Sequence, residues 1–126
     1  MEEVNHQGFT ELEVWKKARI FKNEIKELVG TFPIEEKFRL IDQLIRCSRG
    51  INAVIAEGYG RYTFKDQLHF CIIARGSLYE SLNHLIDAFD CKYIDDAKLV
   101  YFKKMIDEVA KLLNGYINYL RRNLKK

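Results

Sequence analysis

Apolar residues recur along this chain at steps of three and four, the spacing that gathers them on one side of a helix. Leu12, Trp15, Ala18, Phe21, Ile25, Leu28 and Val29 make the first stripe, with Lys16, Lys17, Lys22, Lys26 and Glu27 opposite. A capping box of Thr10 with Glu13 predicts where that helix opens, and Gly30 where it ends. The nine residues before it read as a tail. Ile41, Leu44, Ile45, Ser48, Ile51 and Ile55 form the second stripe. Its helix is expected to begin near Ile34 to Glu36, where two acids suit the positive end of a helix dipole. Gly58 and Gly60 are expected to end it as a C-cap and a tight turn.

Thr63 with Asp66 predicts the start of a third helix, striped by Phe64, Leu68, Cys71, Leu78, Leu82, Leu85 and Phe89. Asp95 or Asp96 caps the fourth, whose stripe is Leu99, Phe102, Ile106, Val109, Leu113, Tyr116, Ile117 and Leu120. Long helices with short connections predict an all-α fold, an antiparallel up-and-down four-helix bundle. The whole chain, residues 1–126, reads as a single domain.

Several residues lie off these stripes. On the second helix Gln43, Arg46, Gly50, Ala53 and Glu57 form a separate line. Gly50 there either lets another helix approach closely or is a tolerated glycine on a solvated face. Phe70 and Ile73 sit on the back of the third helix, as a subunit contact or as a broadening of its core face. Gln43, Gly50, Ala53, Phe70 and Ile73 are therefore the candidate oligomer interface. Arg75 falls between Cys71 and Leu78 on the apolar stripe and needs an acceptor, because a guanidinium is not buried unpaired. A structural ion pair with Glu57 is the expected solution.

Composition adds little chemistry. Formal net charge is +3, compatible with nucleic acid without demanding it. Cys47, Cys71 and Cys91 lack CxxC spacing and read as reduced, buried thiols of a cytoplasmic protein. His6, His69 and His84 are scattered, with no HExxH or ExxH, so neither a metal site nor any other cofactor is expected. No run approaches the ~18 apolar residues of a membrane span. No nucleophile and base share a helix face, so no catalytic residue is proposed and no enzyme is expected.

The combination of IAEG at 55–58, the Gly60–Arg61 pair and ARGSLYE at 74–80 resembles the bacterial four-helix bundle family encoded by 23S rRNA intervening sequences. The likeness extends over residues 43–94 and into the FTELEVWKKA and TFPIEEKFRL segments upstream. It implies a homopentamer with a central opening, and a relation to the accessory variability proteins of diversity-generating retroelements, which bind nucleic acid and a reverse transcriptase. The family pattern matches at Gln43, Arg46, Ile55, Ala56, Glu57, Gly58, Gly60, Arg61, Ala74, Arg75, Gly76, Ser77 and Glu80. Gly50 stands where the family commonly has serine, and Val54 where it has asparagine.

The expected function is a non-enzymatic oligomer that binds structured RNA or DNA through basic surfaces repeated by symmetry. Arg46, Arg49, Arg61, Lys104, Lys111, Arg121 and Arg122 are the candidate contacts, with Lys125 and Lys126 continuing the basic run. The alternative is a protein-interaction scaffold, for example a reverse-transcriptase accessory, with no direct nucleic-acid contact.

Overall fold

A computed structural model describes residues 8–124; the readings that fall on His6, Lys125 and Lys126 lie outside the described residues. Four helices run α1 (Glu13–Val29), α2 (Leu40–Gly60), α3 (Phe64–Asp90) and α4 (Asp96–Arg122). Each packs against its sequence neighbours and α1 also packs on α4, so α1/α3 and α2/α4 lie across the diagonals of an up-and-down bundle. Fully buried Phe21, Ile25, Leu44, Ile51, Leu78, Leu85, Ile106 and Leu113 from all four helices meet in one core.

The helix starts divide into two kinds. Thr63 Oγ1 accepts the amide of Asp66 at 3.1 Å, and Asp95 Oδ1 accepts that of Lys98 at 2.8 Å, so both are side-chain caps. The Thr10–Glu13 box, in contrast, does not form. Phe9–Glu11 winds a 3₁₀ turn instead, and the chain enters α1 through extended Leu12 with no side-chain cap. The Phe9 ring, packed edge-on against Trp15 at 5.3 Å, anchors this entry. The second helix also begins later than its acids suggest. Ile34–Glu36 is a separate 3₁₀ turn, and Glu36 Oε1 reaches forward to accept the amide of Leu40 at 3.3 Å.

At its other end α2 continues through Gly58 and Gly60, so neither glycine makes the turn. The residue with left-handed backbone is Tyr62, at φ 68°. Lys92 does the same at the α3–α4 turn, at φ 66°. Side chains are strained in that region, which glycine occupies readily.

Gly58 serves a different end. A Cβ there would lie 2.7 Å from Phe70 Cβ, so its bare backbone is what lets α3 come close. Gly50 has no such duty: its nearest neighbour would be Ser77 Oγ at an ordinary 3.8 Å. The close approach that the sequence offers at Gly50 occurs two turns later. Along the same seam Ala74, Ser81 and Ala88 keep the buried line of α3 narrow. One polar link crosses from α2 to α1, where Asn52 Nδ2 donates to the Trp15 carbonyl at 3.0 Å.

Candidate functional site

The α2–α3 seam holds three of the five candidate interface residues, Gln43, Gly50 and Phe70. Antiparallel packing sets Gly50 opposite Ser77 and Gly58 beneath Phe70, whereas Ala53 and Ile73 are exposed. Gln43 and Arg46 share a groove of about 480 Å³ with Ser77 and Glu80 at the upper part of the seam. Phe70 is not a free apolar face. It is half-buried, resting on Gly58, with the Arg61 guanidinium 5.0 Å above its ring. The exposed apolar residues of α3 lie further round, at Ile72, Ile73, Tyr79 and Ile86.

Arg75 and Glu57 do not pair. Arg75 Nη1 donates to Asn114 Oδ1 on α4 at 2.8 Å, and Glu57 accepts from Arg61 on its own helix at 3.4 Å. Helix geometry explains the correction. Position 75 follows buried Ala74 on the side of α3 that meets α4, whereas Glu57 lies on the exposed outer side of α2. The acceptor that Arg75 needs is thus a neutral amide, and it ties the central motif to α4.

The seven candidate cations do not form one surface. Arg46, Arg49 and Arg61 belong to α2 and its C-cap, and Lys104, Lys111, Arg121 and Arg122 to the diagonal helix α4. Arg46 sits 3.9 Å from Asp42, and Arg61 is held by Glu57. Among the described residues, no carboxylate lies within ion-pair distance of Arg49, Lys104, Lys111, Arg121 or Arg122, all of them exposed. Lys104, Lys111 and Arg122 recur at steps that point them directly away from the bundle.

A cluster that charge and stripe alone did not single out lies where α2 ends and α3 begins. Tyr59, Tyr62, Phe64, Tyr116 and Tyr119 line a cavity of about 580 Å³ with Leu12 and Gln67. Tyr116 and Tyr119 lie parallel, 6.1 Å apart and 12° out of plane, and Phe64 tilts against Tyr119 at 5.9 Å. Buried Gln67 organises the group. Its Oε1 accepts the Tyr116 hydroxyl at 2.6 Å, and its Nε2 donates to the Tyr62 carbonyl at 3.3 Å. Burial also raises the Tyr116 hydroxyl above its ordinary titration range, so it stays a donor. The signal available in sequence was aromatic density in two separate segments, YGRYTF at the α2–α3 turn and YINYL near the end of α4.

Two of the three cysteines are buried. Burial pushes the Cys71 thiol up to about 12 and raises Cys47 as well, so both remain protonated, and the Ser81 hydroxyl lies 3.1 Å from Cys47 Sγ. Cys91 differs from the expectation: it is exposed, at the C-cap of α3. Among the described residues no group of three His, Cys, Asp or Glu is placed to hold a metal ion, and no helix is long and apolar enough to cross a membrane.

Comparison with known families gives one relevant finding. The family model described as 23S rRNA-intervening sequence protein matches residues 10–115, from the turn before α1 to the last third of α4. No curated protein matches the chain.

Proposed function

The chain belongs to the 23S rRNA-intervening sequence protein family, and on that premise we propose a non-enzymatic, oligomeric bundle that binds structured RNA or DNA through basic surfaces. The observation that carries this reading is the set of exposed cations that have no carboxylate partner among the described residues: Arg49, Lys104, Lys111, Arg121 and Arg122. An unpaired surface cation gains more from a phosphate than one already neutralised by its own chain. Because the α2 and α4 cations face different directions, a single nucleic-acid segment meets both sets only where copies of the chain stand side by side. A cytoplasmic homopentamer is the assembly proposed.

The test is fluorescence polarisation of a labelled ribosomal RNA hairpin across a salt series. Binding should weaken linearly in a log–log plot, and reversing Arg121 and Arg122 to glutamate should lower the slope by roughly two. Absent or salt-insensitive binding overturns the reading.

A second reading, a protein-interaction scaffold, is favoured by Ile72, Tyr79 and Ile86, which repeat every seven residues on the exposed side of α3. Light scattering on the wild type and on Ile72→Glu/Ile86→Glu separates the cases. If this face joins copies, the variant falls to a smaller species; if it binds another protein, the size is unchanged.

A further inference from the structure

The aromatic end of the bundle carries a more specific assignment, which rests on the nucleic-acid reading above and names what part of the nucleic acid is recognised. Tyr62 is 82% exposed although its backbone occupies the left-handed region at φ 68°. A tight turn alone would favour glycine at that position, and Gly60 stands only two residues away in an ordinary helical conformation. The chain thus holds a large ring outward at a point where the fold gains nothing from it. Gln67 bonds the Tyr62 carbonyl, fixing the turn, and bonds Tyr116 on α4 with its other amide atom.

The second element is Tyr119. Its ring lies parallel to that of Tyr116, meets Phe64 at a tilt and is 44% exposed, so part of the Tyr119 ring remains open to solvent. Flat rings presented this way suit another flat, polarisable ring. Charge selects among such partners. Arg122 lies one turn beyond Tyr119 on the same side of α4, and Lys65 follows Phe64 at the start of α3; among the described residues neither has a carboxylate within ion-pair distance. Rings bordered by unpaired cations match bases joined by phosphates.

We infer that this end is a stacking platform for unpaired bases of RNA, with Tyr62 and Tyr119 as the contact rings and Arg122 and Lys65 holding the flanking phosphates. Duplex DNA keeps its bases stacked inside the helix, whereas loops and bulges of folded RNA present them without an opening step. Bases stack on aromatic side chains with little regard to sequence, so the platform reads exposure of a base rather than its identity.

The experiment compares one labelled RNA, single-stranded and annealed to its complement, on the full chain. The single strand should bind tighter. Tyr62→Gly, which removes the ring and relieves the backbone, should weaken the single strand about ten-fold while leaving the duplex unchanged, and Tyr62→Phe should bind like wild type. Tyr119→Ala repeats the test from α4. If both ring variants bind single strand and duplex as wild type does, the platform is overturned, and the phosphate-binding reading survives as long as the salt slope persists. If neither RNA form binds, that broader reading fails and takes the platform with it. A polyglutamate chain of matching charge that competes as well as the single strand also overturns it, since it has no rings to stack.

Discussion

At one end of the bundle Tyr93 turns its hydroxyl inward to Glu36 at 2.7 Å, and Glu36 in turn receives the first amide of α2. At the other end Tyr62 turns outward and its ring meets solvent. Both ends have a tight helix–helix turn with one left-handed non-glycine residue, Lys92 above and Tyr62 below. They differ in what surrounds the turn. Lys92 shares a groove with Asp90 and Asp95, and next to it Glu24, Glu27 and Asp95 line a groove of about 820 Å³ where Tyr101 donates to Glu24 at 2.6 Å. Tyr62 lines its cavity with Tyr59, Tyr116 and Tyr119, and Lys65 and Arg122 stand on the helix ends that carry these rings. One end uses aromatic and charged groups to satisfy each other; the other leaves them available to a ligand. Surface groups that satisfy no partner of their own chain are where binding is to be sought.

The sharpest way to break the comparison is at the base of the aromatic end. Gly58→Ala places a methyl 2.7 Å from Phe70 Cβ, an atom fixed to the α3 backbone that cannot swing away. Separating α2 from α3 there should cost about 2 to 3 kcal/mol in denaturant unfolding. Gly50→Ala is the control. With 3.8 Å to Ser77 Oγ it should be neutral or gain up to about 1 kcal/mol from helix propensity. Equal effects at the two glycines would mean that Gly58 is not the contact point.

Gln67 comes next. Gln67→Ala removes the partner of the half-buried Tyr116 hydroxyl and frees the Tyr62 carbonyl, at an expected cost of about 1 to 2 kcal/mol. Hydrogen exchange should show the loss concentrated in residues 59–67, with the Lys92 turn unchanged. Uniform loss through both turns would show that the two ends are not energetically separate.

How much of this was legible in sequence depends on the kind of interaction. Helix existence rests on apolar periodicity, and every stripe from Leu12 to Leu120 found its place in or against the core. Caps formed by one residue with its near neighbour, Thr63 and Asp95, were equally readable. The Thr10 box gives way to a 3₁₀ turn that seats the Phe9 ring on Trp15 and, across the bundle, on Tyr59, and the second of these is a tertiary contact. Arg75 announced its need for an acceptor, but the choice of Asn114 depends on how α3 and α4 are rotated about their axes, which no local pattern states. Arg75→Ala should accordingly cost about 1 kcal/mol, the loss of a charge-assisted hydrogen bond to an amide that water can re-solvate, rather than the larger loss expected from stranding a buried carboxylate. The aromatic cluster was hidden for a similar reason: its members come from the α2–α3 turn and from α4, far apart in the chain and joined by Gln67.

The smallest effect tests the closed end through pH. Acceptance of the Tyr93 hydroxyl, followed by that of the Leu40 amide, holds the Glu36 carboxyl below its ordinary value of 4.5. A carboxyl depressed by folding contributes stability that is complete above its unfolded value and lost as pH falls through the folded one. The partner shifts the opposite way. Bonding to Glu36 and partial burial raise Tyr93 from 10 to about 12, so its contribution is complete below 10 and lost as pH rises through about 12. Tyr93→Phe should therefore lower the melting temperature slightly at neutral pH, and the gap between variant and wild type should shrink in acid once Glu36 is protonated. Tyr62→Phe, with no carboxylate on its hydroxyl in this structure, should show no gap at either pH. A constant gap for Tyr93→Phe across the acid range would mean that the ring's packing against Phe32, and not the hydroxyl, is what holds this end closed.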